Sequence, residues 1–255
     1  MDTAEDIKEL VRTSYGSIAT ASSSCCAPAA PSCCGDSRRA GYSDAALASL
    51  PEGANLGLGC GNPQAIAGLK AGETVVDLGS GAGIDCFLAA RQVGPSGRAI
   101  GVDMTHEMLK KARANALKVG AGNVEFRLGE IEHLPIADNT ADAIISNCVV
   151  NLVPDKAQVF REAFRVLKSG GRLAIADVVN ARALPEALAS DPALLCGCVS
   201  GAVPAGQIEA WLEEAGFVDV CVTAQPRSRD LIASWAPGTG VEDYVVSATI
   251  EARKP

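Results

Sequence analysis

Histidine is scarce in this sequence, with two residues among 255, and aromatic side chains make up only 4%. A histidine general base could come only from His106 or His133, and the sequence context of neither indicates that role. No stretch approaches the roughly 18 uninterrupted apolar residues of a membrane-spanning helix. The N-terminus is acidic and lacks the basic segment and apolar stretch of a secretory signal. We therefore expect a cytoplasmic protein without a membrane partner.

Positive charge is also in deficit, since 22 Lys and Arg residues stand against 30 Asp and Glu, for a formal net charge of −8. A chain of that sign repels nucleic-acid phosphates, so nucleic acid is not an expected partner. The hydrophobic share of 48% and the charged share of 20% are typical of a folded protein. The length suits one substantial core with a small additional lobe.

Cysteine, by contrast, is abundant, with ten residues. In a reducing compartment, clustered cysteines more often bind metals or take part in catalysis than form structural disulfides. Cys86, on a predicted helix, and Cys221, on an apolar strand, are expected in the core. The candidates for chemistry are the other eight: Cys25, Cys26, Cys33, Cys34, Cys60, Cys148, Cys196 and Cys198.

From Glu73 onward, hydrophobic strands alternate with helices. The predicted strands are TVVDLG, residues 98–103, NVEFRLG, ADAIISN and GGRLAIADVV, and the predicted helices cover 85–93, 105–119 and 156–167. This alternation predicts an α/β fold with a doubly wound, mostly parallel sheet covered on both faces. We expect three segments: an N-terminal helix over 3–13 with a Cys-rich region (1–70), the regular α/β part (71–180) and a smaller α/β lobe (181–255).

The sharpest local pattern is VVDLGSGAG, a buried strand that runs into three glycines and then a helix. Glycines at such a turn let a ligand approach the backbone, but the GxGxG spacing differs from the GxGxxG of dinucleotide folds. Asp77 precedes the turn, where it would repel a pyrophosphate and attract an ammonium. Asp103 ends the next strand, where it can accept hydrogen bonds from ribose hydroxyls. A sulfonium nucleoside derived from methionine fits this set better than NAD does.

Over Glu73–Val179 these residues resemble the S-adenosylmethionine-dependent methyltransferases of the Rossmann-like class. The resemblance implies a sheet of the seven-stranded methyltransferase type and S-adenosylmethionine as the cofactor. It places the residues after the third strand, from Gly129, near the adenine and those after the fourth strand at the site of methyl transfer. The implied cofactor-binding residues are Asp77, Gly79, Ser80, Gly81, Gly83, Asp103, Met104, Glu130, Ile131 and Asn147. The alternative is a generic doubly wound protein that binds another nucleotide.

Several cysteines fall at the edge of the sheet where ligands bind in such folds. Cys148 directly follows the fourth strand, and loops carrying Cys60 and Cys198 could fold over it. Three thiolates from separate loops would suit a thiophilic ion. Arsenic(III) bound by three sulfurs is pyramidal and keeps a lone pair, which could attack a sulfonium methyl group without a general base. The scarcity of histidine agrees with such chemistry.

At these residues the chain resembles the arsenite S-adenosylmethionine methyltransferases. The matching stretches are YGSIA, GLGCGNP, DLGSGAGID, SNCVVNL, GCVSGA and WAPGTGVEDYVVSATIEARKP. The resemblance implies arsenic detoxification, with arsenite or its thiol conjugates as the substrate and glutathione or a thioredoxin-type protein as the reductant. It also implies an arsenic(III) site of Cys60, Cys148 and Cys198, and a catalytic N-terminal cysteine, Cys34 or its neighbour Cys33, that exchanges disulfides with Cys60.

Two points stay open at this stage. The N-terminal cysteine pairs do not match zinc-binding spacing and could instead capture arsenite. Cys196 would face the same side as Cys198 on a strand but would diverge from it on a helix.

Two alternative functions also remain: a methyltransferase for a small organic acceptor, and a metalloid-binding protein without catalysis. Neither alternative predicts methylated arsenic from labelled cofactor, thiol and arsenite.

Overall fold

The computed structural model describes residues 3–21 and 37–255. Cys25, Cys26, Cys33 and Cys34 lie outside the described residues, so the proposed exchange between Cys34 and Cys60 stays a prediction. Among the helices of the described segments, none combines the length and the apolar character needed to cross a bilayer.

The described strands form one sheet in the order β3-β2-β1-β4-β5-β8-β7, with a short β6 beside β5. Strands β1 to β6 pair in parallel, whereas β8 pairs antiparallel with both β5 and β7. The bounds are β1 Thr74–Leu78, β2 Arg98–Asp103, β3 Val124–Leu128, β4 Ala141–Asn147, β5 Leu167–Asn180, β6 Val203–Pro204, β7 Val218–Ala224 and β8 Val245–Arg253. The prediction of a doubly wound, mostly parallel sheet of the methyltransferase type is confirmed.

Helices cover both faces of this sheet, and each face has its own buried cluster. The helices are α1 Ala4–Thr20, α2 Asp44–Ala48, α3 Gln64–Ala67, α4 Ile84–Val93, α5 His106–Val119, α6 Lys156–Val166, α7 Glu186–Ala189, α8 Pro192–Cys196, α9 Ala205–Ala215 and α10 Arg229–Ala233. One cluster packs α6 and α9 against the sheet, and the other packs α4 and α5. Burial on both faces explains why β1 and β4 are nearly continuous hydrophobic runs.

The N-terminal helix is longer than the expected 3–13. Thr3 caps α1 in a capping box with Asp6, and the helix continues to Thr20. Gly16 is buried, and a Cβ there would lie 3.3 Å from a carboxylate oxygen of Glu107 on α5. The close packing of α1 on α5 stabilises the additional turns, which local propensity alone does not favour.

The two cysteines expected in the core have different environments. Cys86 is fully buried on α4, as predicted. Cys221 is exposed, so its prediction as a core residue is wrong. It lies on β7, at the end of the sheet, and among the described strands β7 pairs with β8 alone.

Candidate active site

The glycine turn connects β1 to α4 in a conformation that requires glycine. Gly79, Gly81 and Gly83 all have positive φ angles, of 68°, 51° and 98°. A Cβ on Gly79 would lie 2.5 Å from a methyl carbon of Val149 and 2.9 Å from its Cβ. The turn is therefore packed against Val149, the residue that follows Cys148. A change in the conformation of the turn would also displace this candidate arsenic ligand.

Asp103 fixes this turn from the neighbouring strand. Its carboxylate accepts hydrogen bonds from the backbone N–H of Gly81, at 2.9 Å, and of Thr105, at 2.8 Å. Burial raises the pKa of Asp103, although both hydrogen bonds act against that rise. Asp77 is also buried and accepts a hydrogen bond from the Cys86 thiol at 3.3 Å. Burial and the nearby charge of Asp85 raise the Asp77 pKa well above its usual value.

A cavity opens in front of the glycine turn. Of the predicted cofactor residues, its lining includes Asp77, Gly79, Ser80, Gly81, Asp103, Met104, Ile131 and Asn147. None of the described residues that line it carries a basic side chain. The buried hydroxyl of Ser80 has no hydrogen-bond partner among the described residues. Buried carboxylates without a basic neighbour suit a cationic ligand that lacks phosphates, so the lining fits a sulfonium nucleoside.

Sequence reasoning missed a buried polar network on the same wall. The Tyr42 hydroxyl donates to the Asp85 carboxylate at 2.8 Å and accepts from Asn147 Nδ2 at 2.9 Å. The Asn147 side-chain oxygen in turn accepts the backbone N–H of Cys60 at 3.1 Å. All of these residues except Cys60 line the cavity. The one sequence signal was the acidic residue two positions after the last glycine of the turn, in DLGSGAGID.

Glu130 was expected near the cofactor, but it does not line this cavity. Its carboxylate instead binds α1, with Lys8 Nζ at 2.6 Å and Arg12 at 2.9 Å. The hydrogen bond from Lys8 lowers the pKa of Glu130. Through these ion pairs, Glu130 holds α1 so that Val11 and Tyr15 close the cavity wall. Direct contact between Glu130 and the cofactor stays a prediction.

The three cysteines expected to bind arsenic lie close together, and two of them form a disulfide. Cys60 and Cys148 are joined Sγ to Sγ, with their Cα atoms 5.9 Å apart. The Cys198 thiol donates to the carbonyl oxygen of Cys148 at 2.8 Å. Cys148 and Cys198 both have left-handed backbone, with φ of 57° and 63°. Left-handed backbone at residues other than glycine costs about 1–3 kcal/mol each and is concentrated at functional sites.

A buried carboxylate lies beside these sulfurs. The sulfur atoms of Cys60 and Cys148 and a carboxylate oxygen of Asp177 lie within 4.8 Å of one another. Asp177 accepts hydrogen bonds from Asn151 Nδ2 at 2.9 Å and from the backbone N–H of Val178 at 2.8 Å. Burial raises the pKa of Asp177 to about 6. Burial and this carboxylate also raise the pKa of Cys198 well above that of an exposed thiol.

A second, smaller cavity also includes Cys148 in its lining. Its lining comprises Ser14, Tyr15, Ile18, Leu58, Cys148, Cys196, Gly197, Cys198 and Trp235. Cys148 thus contacts both cavities, together with Tyr15 and Leu58. Cys196 is the last residue of α8 and Cys198 follows its end, so neither a strand nor a continuous helix holds both. Both cysteines nevertheless reach the same cavity.

The fold and the cofactor cavity define a methyltransferase that uses S-adenosylmethionine, and a family model described as a methyltransferase domain matches residues 69–216. The arsenite methyltransferase of Halobacterium salinarum is 51% identical over 263 residues, which cover 98% of this chain and 67% of that protein. The human arsenite methyltransferase is 40% identical over 152 residues, 56% of this chain and 40% of that protein.

Among solved structures, an arsenic(III) S-adenosylmethionine methyltransferase from Chlamydomonas reinhardtii aligns with a TM-score of 0.68 at 35% identity. The alignment covers 83% of this chain and 72% of that one. The chain belongs to the arsenite methyltransferase family. It spans two thirds of the length of the Halobacterium relative and less than half that of the human one.

Proposed function

We propose that this chain transfers methyl groups from S-adenosylmethionine to arsenic(III) bound by Cys60, Cys148 and Cys198, and so serves arsenic detoxification. The observation that carries the proposal is that Cys148 lines both cavities. One cavity offers glycines and carboxylates to a sulfonium nucleoside, and the other is lined by cysteines. An acceptor held by Cys148 therefore lies next to the donor.

The cofactor supplies a methyl group on a positively charged sulfur. Asp77 offers a buried carboxylate for its ammonium, and Asp103 offers one for its ribose hydroxyls. The glycine turn leaves room for the ligand beside the backbone. Val149, Leu152 and other apolar lining residues exclude water, which strengthens the attraction between the carboxylates and the cation.

Before arsenic can bind three thiolates, the Cys60–Cys148 disulfide has to be reduced. Two equivalents of a small thiol such as glutathione, or a thioredoxin-type protein, would convert it to two cysteine thiols and become oxidised. In this proposal Cys34 exchanges disulfides with Cys60 between methylations. The thiols of Cys60, Cys148 and Cys198 then lie within one buried cluster, where arsenic(III) can collect all three.

The methylation step needs no general base, because the nucleophile is the lone pair of thiolate-bound arsenic. The residues' task is to orient this lone pair toward the methyl group, and such positioning can supply about 7–11 kcal/mol of a reaction barrier. The left-handed backbone of Cys148 and the packing of Val149 on Gly79 both fix the orientation of the Cys148 side chain.

The three segments expected from the sequence each contribute to this proposed site. Segment 1–70 supplies Tyr42 and Cys60, segment 71–180 the cofactor cavity and Cys148, and segment 181–255 Cys198. We place the reaction in the cytoplasm, where glutathione and thioredoxin-type reductants are available.

The test is a cysteine series assayed with methyl-labelled cofactor, glutathione and arsenite, with labelled methylarsenic separated by chromatography. Cys148→Ser and Cys198→Ser should abolish methylarsenic formation while the cofactor dissociation constant stays within about threefold of wild type. Cys221→Ser is the matched control, since Cys221 is exposed on the edge strand and lines neither of the two cavities. Full activity in Cys148→Ser would overturn the proposal.

The two alternatives give other results in the same assay. A methyltransferase for an organic acceptor would form no labelled arsenic product. A binding protein without catalysis would retain arsenite and form no S-adenosylhomocysteine.

A further inference from the structure

The loop that carries Cys60 has no regular secondary structure of its own. Residues 55–63 lie between α2 and α3 and belong to neither a helix nor a strand. In the structure the disulfide to Cys148 tethers Cys60, but arsenic(III) can bind this sulfur only after that bond has been reduced. Contacts other than the disulfide then have to keep Cys60 next to Cys148.

The side-chain amide of Asn147, at the end of β4, makes two contacts with this loop. Its Oδ1 accepts the backbone N–H of Cys60 at 3.1 Å, and its Nδ2 donates to the carbonyl oxygen of Gly61 at 2.8 Å. Nδ2 also donates to the Tyr42 hydroxyl at 2.9 Å, so both of its N–H bonds have an acceptor. The reverse orientation of the amide would set its donors against the Cys60 N–H and its oxygen against the Gly61 carbonyl. The network therefore fixes which way the amide points.

The two glycines that flank Cys60 let the loop come this close to the sheet. A Cβ on Gly59 would lie 2.5 Å from Nδ2 of Asn147. A Cβ on Gly61 would lie 2.6 Å from the Cβ of Ala176 on β5. The GLGCGNP stretch is thus packed against two neighbouring strands, β4 and β5.

The backbone of Cys60 is bound at both of its polar groups. Asn147 binds the N–H, and the Ser247 hydroxyl on β8 donates to the Cys60 carbonyl oxygen at 2.9 Å. Asn147 also lines the cofactor cavity. Both N–H bonds of its amide and one lone pair of its oxygen are nevertheless used by protein groups, which leaves little hydrogen-bonding capacity for the cofactor.

We propose that Asn147 is a positioning residue for arsenic, which acts through Cys60 by holding its loop beside Cys148 when the disulfide is open. The inference rests on the proposed function and names a residue that determines how tightly the Cys60 sulfur binds the substrate. Loss of a group that orients a ligand typically weakens metal binding about 10–100-fold. Without the amide, the loop gains conformational freedom that arsenic has to remove when it binds.

A double-mutant cycle on the arsenite dissociation constant tests this role. The full-length protein is reduced with a phosphine, which is removed before arsenite is titrated by calorimetry. Asn147→Ala should raise the arsenite dissociation constant about 10–100-fold. In a Cys60→Ser background the same change should alter the constant less than about twofold, because the sulfur that Asn147 positions is gone. All arms carry serine at the cysteines distant from the cavities or outside the described residues, which are Cys25, Cys26, Cys33, Cys34 and Cys221.

Asn147→Asp is a second variant of nearly the same size. It puts an oxygen against the carbonyl oxygen of Gly61 and should also weaken arsenite binding at least about tenfold. Asn123→Ala is the matched control, since Asn123 Nδ2 likewise donates to two backbone carbonyls, those of Ala90 and Gly94, each at 2.9 Å. Asn123 lines neither cavity, so this variant should keep the arsenite dissociation constant within about twofold of the background.

Urea unfolding and the cofactor dissociation constant are measured for each variant. Unchanged arsenite affinity in either correctly folded Asn147 variant overturns the inference, as does an equal loss with and without the Cys60 thiol. Weaker cofactor binding with unchanged arsenite affinity also overturns it and assigns Asn147 to the cofactor. If Cys60→Ser weakens arsenite binding and Asn147→Ala does not, the inference alone fails. If Cys60→Ser has no effect, the ligand set of the proposed function fails as well.

Discussion

The contact between the glycine turn and Val149 predicts how a single methyl group would disturb both halves of the site. In Gly79→Ala, the new Cβ would overlap the Val149 side chain, with 2.9 Å to its Cβ. Crowding of this kind costs about 1–3 kcal/mol, and placing alanine at a φ of 68° costs about 1–2 kcal/mol more. We expect the free energy of unfolding to fall by about 2–5 kcal/mol.

Gly120→Ala is the matched control, because Gly120 has a φ of 62° and a Cβ there meets no atom of the described residues within 4 Å. It should lose only the backbone contribution, about 1–2 kcal/mol. Urea unfolding measures both variants, and calorimetry should show at least a tenfold weaker cofactor affinity in Gly79→Ala alone. Adding Val149→Ala should restore part of the stability, as a coupling of about 1–3 kcal/mol in a double-mutant cycle. Equal stability of Gly79→Ala and Gly120→Ala, or strict additivity in the cycle, would refute the reasoning.

Other contacts give further predictions. Tyr42→Phe removes the hydrogen bonds of the Tyr42 hydroxyl with Asp85 and Asn147, and thermal unfolding should show a free energy of unfolding lower by about 1–3 kcal/mol. An unchanged melting temperature would show that these hydrogen bonds do not stabilise the fold. Asp177 has a pKa of about 6 in the folded chain, against an ordinary value of 3.8. Between these two pH values the folded chain binds more protons than the unfolded chain does. The free energy of unfolding should therefore fall by about 3 kcal/mol as the pH rises from below 3.8 to above 6. Asp177→Asn should lack this contribution, which the difference in unfolding free energy between pH 4 and pH 7 measures. Glu130→Gln should speed hydrogen exchange in α1 by up to about fivefold, since it weakens partly exposed ion pairs; unchanged protection would show that α1 is held otherwise.

The sequence predicted the sheet well because its strands are buried on both faces. The hydrophobic run of β1 and the following glycines are local patterns, and local patterns suffice to predict a strand, a turn and a helix start. The positions of Asp77, Asp103 and Cys148 followed from the rule that strand ends in parallel sheets form the binding edge. The structure brings these three residues to one cavity.

Contacts between distant segments could not be predicted in this way. The hydrogen bond between Tyr42 and Asp85 joins residues 43 positions apart, and the ion pair between Lys8 and Glu130 joins residues 122 positions apart. Neither leaves a periodic pattern in the sequence. Cys221 was misjudged because an apolar strand at the end of a sheet has the same sequence pattern as a central one.

The most direct test of the central claim is a single-turnover experiment with reduced wild-type protein, one equivalent of methyl-labelled S-adenosylmethionine and an excess of arsenite. The account predicts that S-adenosylhomocysteine forms only when arsenite is present, and that the label appears in methylated arsenic in equal amount. Label that remains in the cofactor, or that passes to another acceptor without arsenite, would contradict it.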